Sequence, residues 1–531
     1  MRKRQFKITG LCNPAYDYMV NIDDKVDAVT EMVDSGQYFT INRPRQYGKT
    51  TFLNILSIKL SDSYICVNIS FEGIGDDSFS SEESFCLAFL DLIYTALNKT
   101  STDYDDSYTD AWNDTNVINF LLLGKHITRM CSEKKVVLII DEIDKTSNNR
   151  IFIHFLGLLR NKYLLREKRL ENTFHSVILA GVYDIRNIKL KLISEGVSQP
   201  SAQYNRLLNS PWNIAVPFTL DMSFNANDIA GMLDEYEFDH ATGMDVMEVA
   251  ECIYEYTGGY PFLVSQLCRM LDTEATLQKD WSPNGVRQAV KLLVTQNPLN
   301  TLFDDISKNL ETYLDLYKFI YAILISGQHK SFTVSNPVIQ IADMFGIIKN
   351  RDGAAVISNR IFEIFITDYF ISKDSLSEKS SRLAGYKNDI IDAAGRFNME
   401  ICLTKFAMLF RELFTEKDKP FIEEHGRMLF LTYLLPLING GGFYHIESQL
   451  TDQRRMDLVV DYGADQFIIE LKLWYGDSAH EKAYAQLADY LKSKSAADGY
   501  LITFDFRKDK NRMPKSEWIE WDGARIFDVV I

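Results

Sequence analysis

Two runs roughly 90 residues apart constrain this chain more than anything else in it. Val136-Val-Leu-Ile-Ile140 is an unbroken apolar stretch that ends at once in Asp141-Glu142. Apolar residues without alternation read as a strand buried on both faces, which is how a parallel sheet is built. Two carboxylates at the end of such a strand are costly unless a cation waits beside them. Upstream, Gln37-Tyr-Phe-Thr-Ile41 reads as a short strand, Asn42–Tyr47 as a turn-rich loop, and a helix begins near Lys49. Tyr64–Phe71 and Ser176–Ala180 read as further strands, with a periodic helix over Ser84–Asn98 between them. Strands alternating with helices give an α/β sheet with right-handed crossovers.

The segment Asn42-Arg-Pro-Arg-Gln-Tyr-Gly-Lys-Thr50 lies between strand and helix, where backbone amides cradle phosphate. There Lys49 reaches the β- and γ-phosphates and the Thr50 hydroxyl holds magnesium. Arg43 stands where the usual pattern opens with glycine. Asp141 is the residue to orient the magnesium shell, and Glu142 the one to polarise an attacking water. Arg160 and Arg186 are the alternatives for neutralising γ-phosphate charge, each with a surface ion pair as its plainer role. Tyr183 or Asp184 occupies the place of a polar sensor at a strand end.

A chain of 531 residues exceeds one core, and three or four domains are expected. From about Asn225 the pattern turns helical, over 227–235, 244–256 and 260–274, with the stop and restart Thr257-Gly-Gly-Tyr-Pro261. Residues 313–372 alternate helices with a hairpin-like piece, Ile347–Ser358, turned at Asp352-Gly353, which suggests a winged helix. The reading is an ATPase core at 1–224, a helical lid at 225–285, a winged-helix-like domain at 286–372, a serine-rich linker at 373–385 and a last domain at 386–531.

Seven widely spaced cysteines with no CxxC fit a reducing compartment without structural zinc. No apolar run follows the basic start, and none approaches membrane-spanning length, so a soluble cytoplasmic protein is expected. The net charge of −16 argues against coating nucleic acid by bulk charge, though not against a local groove. Arg507, Lys508, Lys510, Arg512 and Lys515 form one local cluster, which reads equally as a solvated loop.

A second constellation lies in the last domain, where strands are expected at 443–449, 455–461 and 466–473. Asp457 opens one of them. Glu470-Leu-Lys472 lies on the next, and a side-chain period of two puts Glu470 and Lys472 on one face, with Ile469 and Leu471 on the other. Two carboxylates from neighbouring strands plus a lysine suit metal-dependent phosphodiester cleavage. Asp457 and Glu470 are expected to hold magnesium, with Lys472 positioning or deprotonating the water. Ala483–Tyr490 reads as a helix that presents Gln486.

The first half resembles the AAA-like ATPases of the STAND and archaeal-ATPase group. The resemblance is carried by Arg43-Pro-Arg, Gln46-Tyr-Gly-Lys-Thr-Thr-Phe-Leu53, Asp141-Glu-Ile-Asp144, Ala180-Gly-Val-Tyr183, Ser210-Pro-Trp-Asn-Ile214 and Thr257-Gly-Gly-Tyr-Pro-Phe-Leu263. In that group an arginine-rich loop without the first glycine is usual. The resemblance implies a P-loop sheet, a helical lid and a winged helix, with ATP held by Arg43, Gln46, Tyr47, Gly48, Lys49, Thr50, Thr51 and Asp141. The lead-in Thr9–Val20 resembles that family as well and is expected near the base. The order Asp457, Glu470-x-Lys472, Gln486 resembles the PD-(D/E)XK nucleases, in particular those fused behind AAA-type ATPases in bacteria. That implies a restriction-endonuclease-like α/β domain in which Glu447 joins Asp457 and Glu470 at the metal, with Glu423 or Glu424 as a further candidate. Together these imply an ATP- and Mg²⁺-dependent hydrolase and a nucleotide-gated nuclease acting on DNA, in phage defence or mobile-element biology, with nucleotide-dependent self-association. The alternative is a signalling or scaffolding NTPase whose nuclease fold only binds.

Overall fold

The structure is a computed structural model. It describes residues 4–100, 106–143, 150–182, 212–296, 301–325, 328–374, 390–392, 395–413, 423–438, 442–445, 458–463, 465–494, 496–505 and 515–531. The chain forms two compact units, one comprising Met1–Val290 with Gln340–Ile347, the other Lys291–Ile339 with Ile348–Ile531.

The first unit opens with the short strands β1 (Gln5–Phe6) and β2 (Asp17–Tyr18), which pair in parallel. Its core is a parallel sheet of β3 (Tyr38–Asn42), β4 (Ile65–Ser70), β5 (Val136–Asp141) and β6 (Ser176–Gly181), in the order β3-β6-β5-β4. Every residue of β5 and β6 is buried, as the unalternating apolar runs require. Helices Asp23–Asp34 and Lys49–Leu60 cover one face through Val29, Val33, Phe52 and Leu56. Helices Glu82–Thr100, Phe120–Met130 and Arg150–Glu167 cover the other through a large aromatic cluster that includes Phe85, Phe89, Phe152 and Phe155. Trp212, from the Ser210–Ile214 motif, is fully buried and donates to Thr40 Oγ1 at 3.1 Å.

Three helices follow, at Ala226–His240, Val246–Thr257 and Pro261–Thr273. A capping box of Asn225 and Asp228 starts the first, and Pro261 stands in the first turn of the third. Gly259, at φ 74°, lies so close to Phe224 that a Cβ there would sit 1.8 Å from its carbonyl oxygen. Only glycine meets both conditions.

The second unit begins with helices Thr301–Thr312 and Leu314–Leu324. An antiparallel pair follows, β7 (Ile348–Arg351) and β8 (Ala354–Ile357), turned at Asp352 (φ 51°) and Gly353 (φ 84°), and then helix Arg360–Asp374. Two left-handed residues in a two-residue turn match the right-handed twist of the strands, so Asp-Gly at this point was a readable signal. The main sheet contains β9 (Gly442–His445), β10 (Leu458–Tyr462), β11 (Asp465–Leu473), β12 (Asp498–Phe504), β13 (Lys515–Trp521) and β14 (Ala524–Val530). Its order is β13-β14-β12-β11-β10-β9, parallel across β11, β12 and β14 and antiparallel elsewhere. Helix Asp477–Ser493 packs Ala483, Leu487 and Leu491 against Val459, Ile468, Leu501 and Ile526. Helices Met399–Leu413 and Glu423–Ile438 belong to the same unit, and the rings of Phe406 and Phe410 meet Phe504.

Candidate functional site

In the first unit β3 feeds the loop 43–48 into helix Lys49–Leu60, whose N-cap is Gly48 (φ 76°). Glycine has no side chain with which to cap the helix, and a helix N-terminus is where backbone amides face an anion. Lys49 is only 6% exposed, and its ammonium donates to the carbonyls of Arg43 and Pro44, each at 3.0 Å. The ammonium is thereby held inside the loop, where phosphate oxygens can take over from the two carbonyls. Thr50 Oγ1 donates to Asp141 Oδ2 at 2.9 Å, and Asp141 Oδ1 accepts the amide of Glu142 at 2.9 Å. A hydroxyl and a buried carboxylate joined in this way are a donor set that fits a hard divalent cation such as Mg²⁺.

Glu142 follows β5 with φ 56°, and Gln46 in the loop has φ 57°. Non-glycine residues in the left-handed region carry strain, which gathers where a site needs it. Tyr47 packs edge-on against Tyr260 at 4.8 Å, and burial pushes its phenol up to about 12. Tyr260, from the Thr257–Leu263 motif, donates through its hydroxyl to the carbonyl of Arg45 at 2.5 Å. The loop is therefore tied to the start of helix Pro261–Thr273. Thr51 Oγ1 accepts the amide of Cys12 at 3.3 Å, which brings the lead-in Thr9–Val20 against the same helix start as Lys49. Arg43 turns its guanidinium away from the loop interior. It donates to the carbonyls of Asn42 and Leu220 and lies over the Phe218 ring at 5.1 Å. Its side chain braces the loop, and its carbonyl serves Lys49. Arg160 lies on helix Arg150–Glu167. Asp144, Tyr183, Asp184 and Arg186 lie outside the described residues.

In the second unit Glu470 and Lys472 share one face of β11, as their spacing required. Glu470 is 0% exposed, and its Oε1 lies 2.5 Å from Lys472 Nζ. A fully buried carboxylate needs a cation beside it, and this donor suits a hard metal once the lysine yields its place. Gln486 sits on helix Asp477–Ser493, one turn from the buried Ala483 and Tyr490. Asp457 and Glu447 lie outside the described residues, as do Arg507, Lys508, Lys510 and Arg512. No side chain is described for Glu423 or Glu424. Lys515 is described and pairs with Glu517 on β13. Among the described residues no group of three or more His, Cys, Asp and Glu could hold a metal.

The sequence reading missed a polar cluster beside this pair. Asp528 on β14, 4% exposed, has Oδ2 at 2.9 Å from His480 Nε2 and accepts the Tyr484 hydroxyl on the same oxygen at 2.7 Å. His480 Nδ1 lies 3.4 Å from Thr503 Oγ1, and the His480 ring packs at 4.8 Å from Trp474 and 4.5 Å from Tyr484. Burial beside the Asp528 carboxylate drives the Tyr484 phenol far above its ordinary range. The readable signal was the i,i+4 spacing of His480 and Tyr484, which puts them on one helix face.

A parallel sheet with a buried lysine opening the helix after a strand-to-helix loop, and a strand-end aspartate bonded to the threonine next to that lysine, defines a P-loop ATPase-like fold. Residues 15–368 match the AAA-like domain family, well over half of the chain, and the chain belongs to that family. Residues 443–515 match the PD-(D/E)XK nuclease superfamily, so a nuclease-superfamily domain follows. No protein of curated function matches the chain. Among solved structures it is similar to a Walker-type ATPase of Pyrococcus abyssi, with 11% identity and a TM-score of 0.45 over 68% of this chain and 99% of that one. It is similar also to the ORC2 protein of Aeropyrum pernix in its ADPNP–ADP complexes, with 13% identity and a TM-score of 0.37 over 70% of this chain and 98% of that one.

Proposed function

We propose that this chain binds and hydrolyses ATP with Mg²⁺ at the Lys49 loop and cleaves DNA with Mg²⁺ at the Glu470–Lys472 pair, the nucleotide state gating cleavage. The observation that carries the nuclease half is the fully buried Glu470 carboxylate facing Lys472 on the strand of a nuclease-superfamily domain. An inert binding module has no use for a buried charge of that kind, and an apolar pair would stabilise the sheet better.

In the nucleotide pocket, the amides after Gly48 and the Lys49 ammonium take the phosphates, while Thr50 and Asp141 hold the cation. Glu142 orients the water, and Gln46, Tyr47 and Thr51 shape the loop. In the nuclease pocket, Asp457, Glu447 and Glu470 hold the cation, Lys472 positions the water, and Gln486 fixes the scissile phosphate. A bound metal there supplies charge to the phosphate and lowers the pKa of the water.

The gate is a closure of the helical lid on the γ-phosphate, for which the Tyr260–Arg45 bond supplies a direct lever. The hairpin β7–β8, set between helices, supports a winged-helix reading of the segment that relays the change. Seven free cysteines support a cytoplasmic setting, and among the described residues no helix is long and apolar enough to cross a membrane. Nucleotide-dependent self-association and destruction of phage or mobile-element DNA are the cellular extension of the same reading. Plasmid cleavage with Mg²⁺ or Mn²⁺ tests the nuclease half. The expected result is a loss of about 100-fold or more in Lys472→Ala, the general-base range. Equal rates in wild type and variant would leave only the scaffolding ATPase.

A further inference from the structure

The cluster around Asp528 lies on the same sheet face as the Glu470–Lys472 pair. The register runs Glu470, Leu501, Asp528 across β11, β12 and β14, and Lys472 is paired with Thr503 one step along. Register partners in adjacent parallel strands point to one face, about 5 Å apart. Thr503 is thus the cross-strand neighbour of Lys472, and it is fully buried. His480 bridges from Thr503 to Asp528, with its own side chain only 10% exposed.

An Asp528 carboxylate beside a neutral His480 has one consistent set of proton positions. Asp528 Oδ2 can only accept, so His480 carries its proton on Nε2. In the neutral ring Nδ1 is then a lone pair, and it faces the Thr503 hydroxyl. In that tautomer the Thr503 hydroxyl donates to Nδ1 and keeps an oxygen lone pair for another donor. Lys472 is the cross-strand neighbour whose ammonium such an acceptor would serve.

A purely structural cluster would not be arranged in this way. Asp528 Oδ1 is buried and, among the described residues, has no hydrogen-bond donor. A buried carboxylate oxygen without a donor among the described residues is costly to a fold. The ring is nonetheless clamped by Trp474, whose own amide donates to the Phe504 carbonyl at 3.0 Å, and by Tyr484. Such rigid support is what a reactive side chain requires of its neighbours.

We propose that Asp528, His480 and Thr503 form a positioning relay that presents an acceptor to the Lys472 ammonium and holds it over the attacking water when metal takes Glu470. None of the three touches the phosphate, and all act through Lys472. The proposal rests on the nuclease reading of the Glu470–Lys472 pair.

Two measurements on the full chain test it. With ¹⁵N-labelled histidine, NMR of the metal-free protein should show His480 as the Nε2–H tautomer, and Asp528→Asn should disturb that signal. Finding the Nδ1–H tautomer in wild type would overturn the relay without reference to cleavage. Single-turnover plasmid cleavage with Mn²⁺ is the second. Thr503→Val should lower the catalytic rate about 10-fold, the low end for outer-shell partners, with KM and melting temperature little changed. Thr503→Ser should restore the rate. A Thr503→Val protein that cuts at the wild-type rate would remove the proposal and leave the nuclease reading standing. A wild type that does not cut, with the NMR signal as expected, would remove the nuclease reading and the relay with it.

Discussion

The two acidic pockets solve the same problem in different ways. In the first unit the strand-end carboxylate is hydrogen-bonded within the protein, since Asp141 accepts both the Thr50 hydroxyl and the Glu142 amide. In the second, Glu470 is compensated by a full positive charge, Lys472, at 2.5 Å. The first arrangement is neutral hydrogen bonding around a carboxylate, and it relaxes little when a nucleotide and its metal arrive. The second is an ion pair, which on the proposed nuclease reading has to open before a metal binds.

Substitutions sharpen that contrast. The largest effect belongs to Glu470→Gln. It removes the buried charge and should lower cleavage by about 1,000-fold, within the range for metal- and proton-handling groups. Cleavage of a supercoiled plasmid with Mn²⁺ measures it, and cutting within tenfold of wild type would break the contrast. Next comes Lys49→Ala, which should weaken ATP binding about 100-fold. Two lost charge-assisted bonds, together about 3 kcal/mol, account for that figure, and calorimetric titration with ATP and Mg²⁺ reads it. Tyr260→Phe deletes one hydrogen bond between helix start and loop. About 1 kcal/mol, or roughly fivefold in ATP affinity, is expected, with ATP-dependent DNA cutting weakened by a similar factor because the lost bond is the lever of the proposed gate.

The remaining effects are on stability, and they have opposite signs in the two units. Burial, with Arg129 nearby, lowers His126 in the first unit to about 4, against an opposing Asp114. Between about pH 4 and 6.5 the unfolded chain therefore binds the extra proton, and this contribution to stability grows as pH rises. Burial raises Asp368 in the second unit to about 6, although its carboxylate accepts the Tyr444 hydroxyl at 2.6 Å. There the native state holds the extra proton between about pH 4 and 6, and stability falls as pH rises. Each contribution is at most about 3 kcal/mol over its window. Urea denaturation across pH 4–7 should lose its ascending component in His126→Gln and its descending one in Asp368→Asn. Parallel curves for wild type and either variant would refute the assignment for that unit.

Legibility in the sequence follows the same divide. The nucleotide pocket is written in two short continuous runs, because a strand-to-helix loop and a strand end each place several functional groups within a few residues. Lys49, Thr50 and Asp141 could therefore be found from spacing alone. The brace formed by Arg43 could not, because it depends on Phe218 and Leu220, which are distant in sequence and irregular in structure. In the second unit the alternation of β11 exposed Glu470 and Lys472 together. Their neighbours Thr503, His480 and Asp528 are joined only by sheet register and helix packing, which no local pattern encodes. Asp528 stands within Ile526-Phe-Asp-Val-Val530, where it reads as a polar interruption of a buried strand.

The most direct measurement takes ATP turnover and DNA cleavage on one preparation of the full chain, wild type beside Lys49→Ala and Lys472→Ala. Gating of one pocket by the other predicts that Lys49→Ala loses both activities, while Lys472→Ala loses only cleavage. Cleavage by Lys49→Ala at the wild-type rate, with or without ATP, would contradict it.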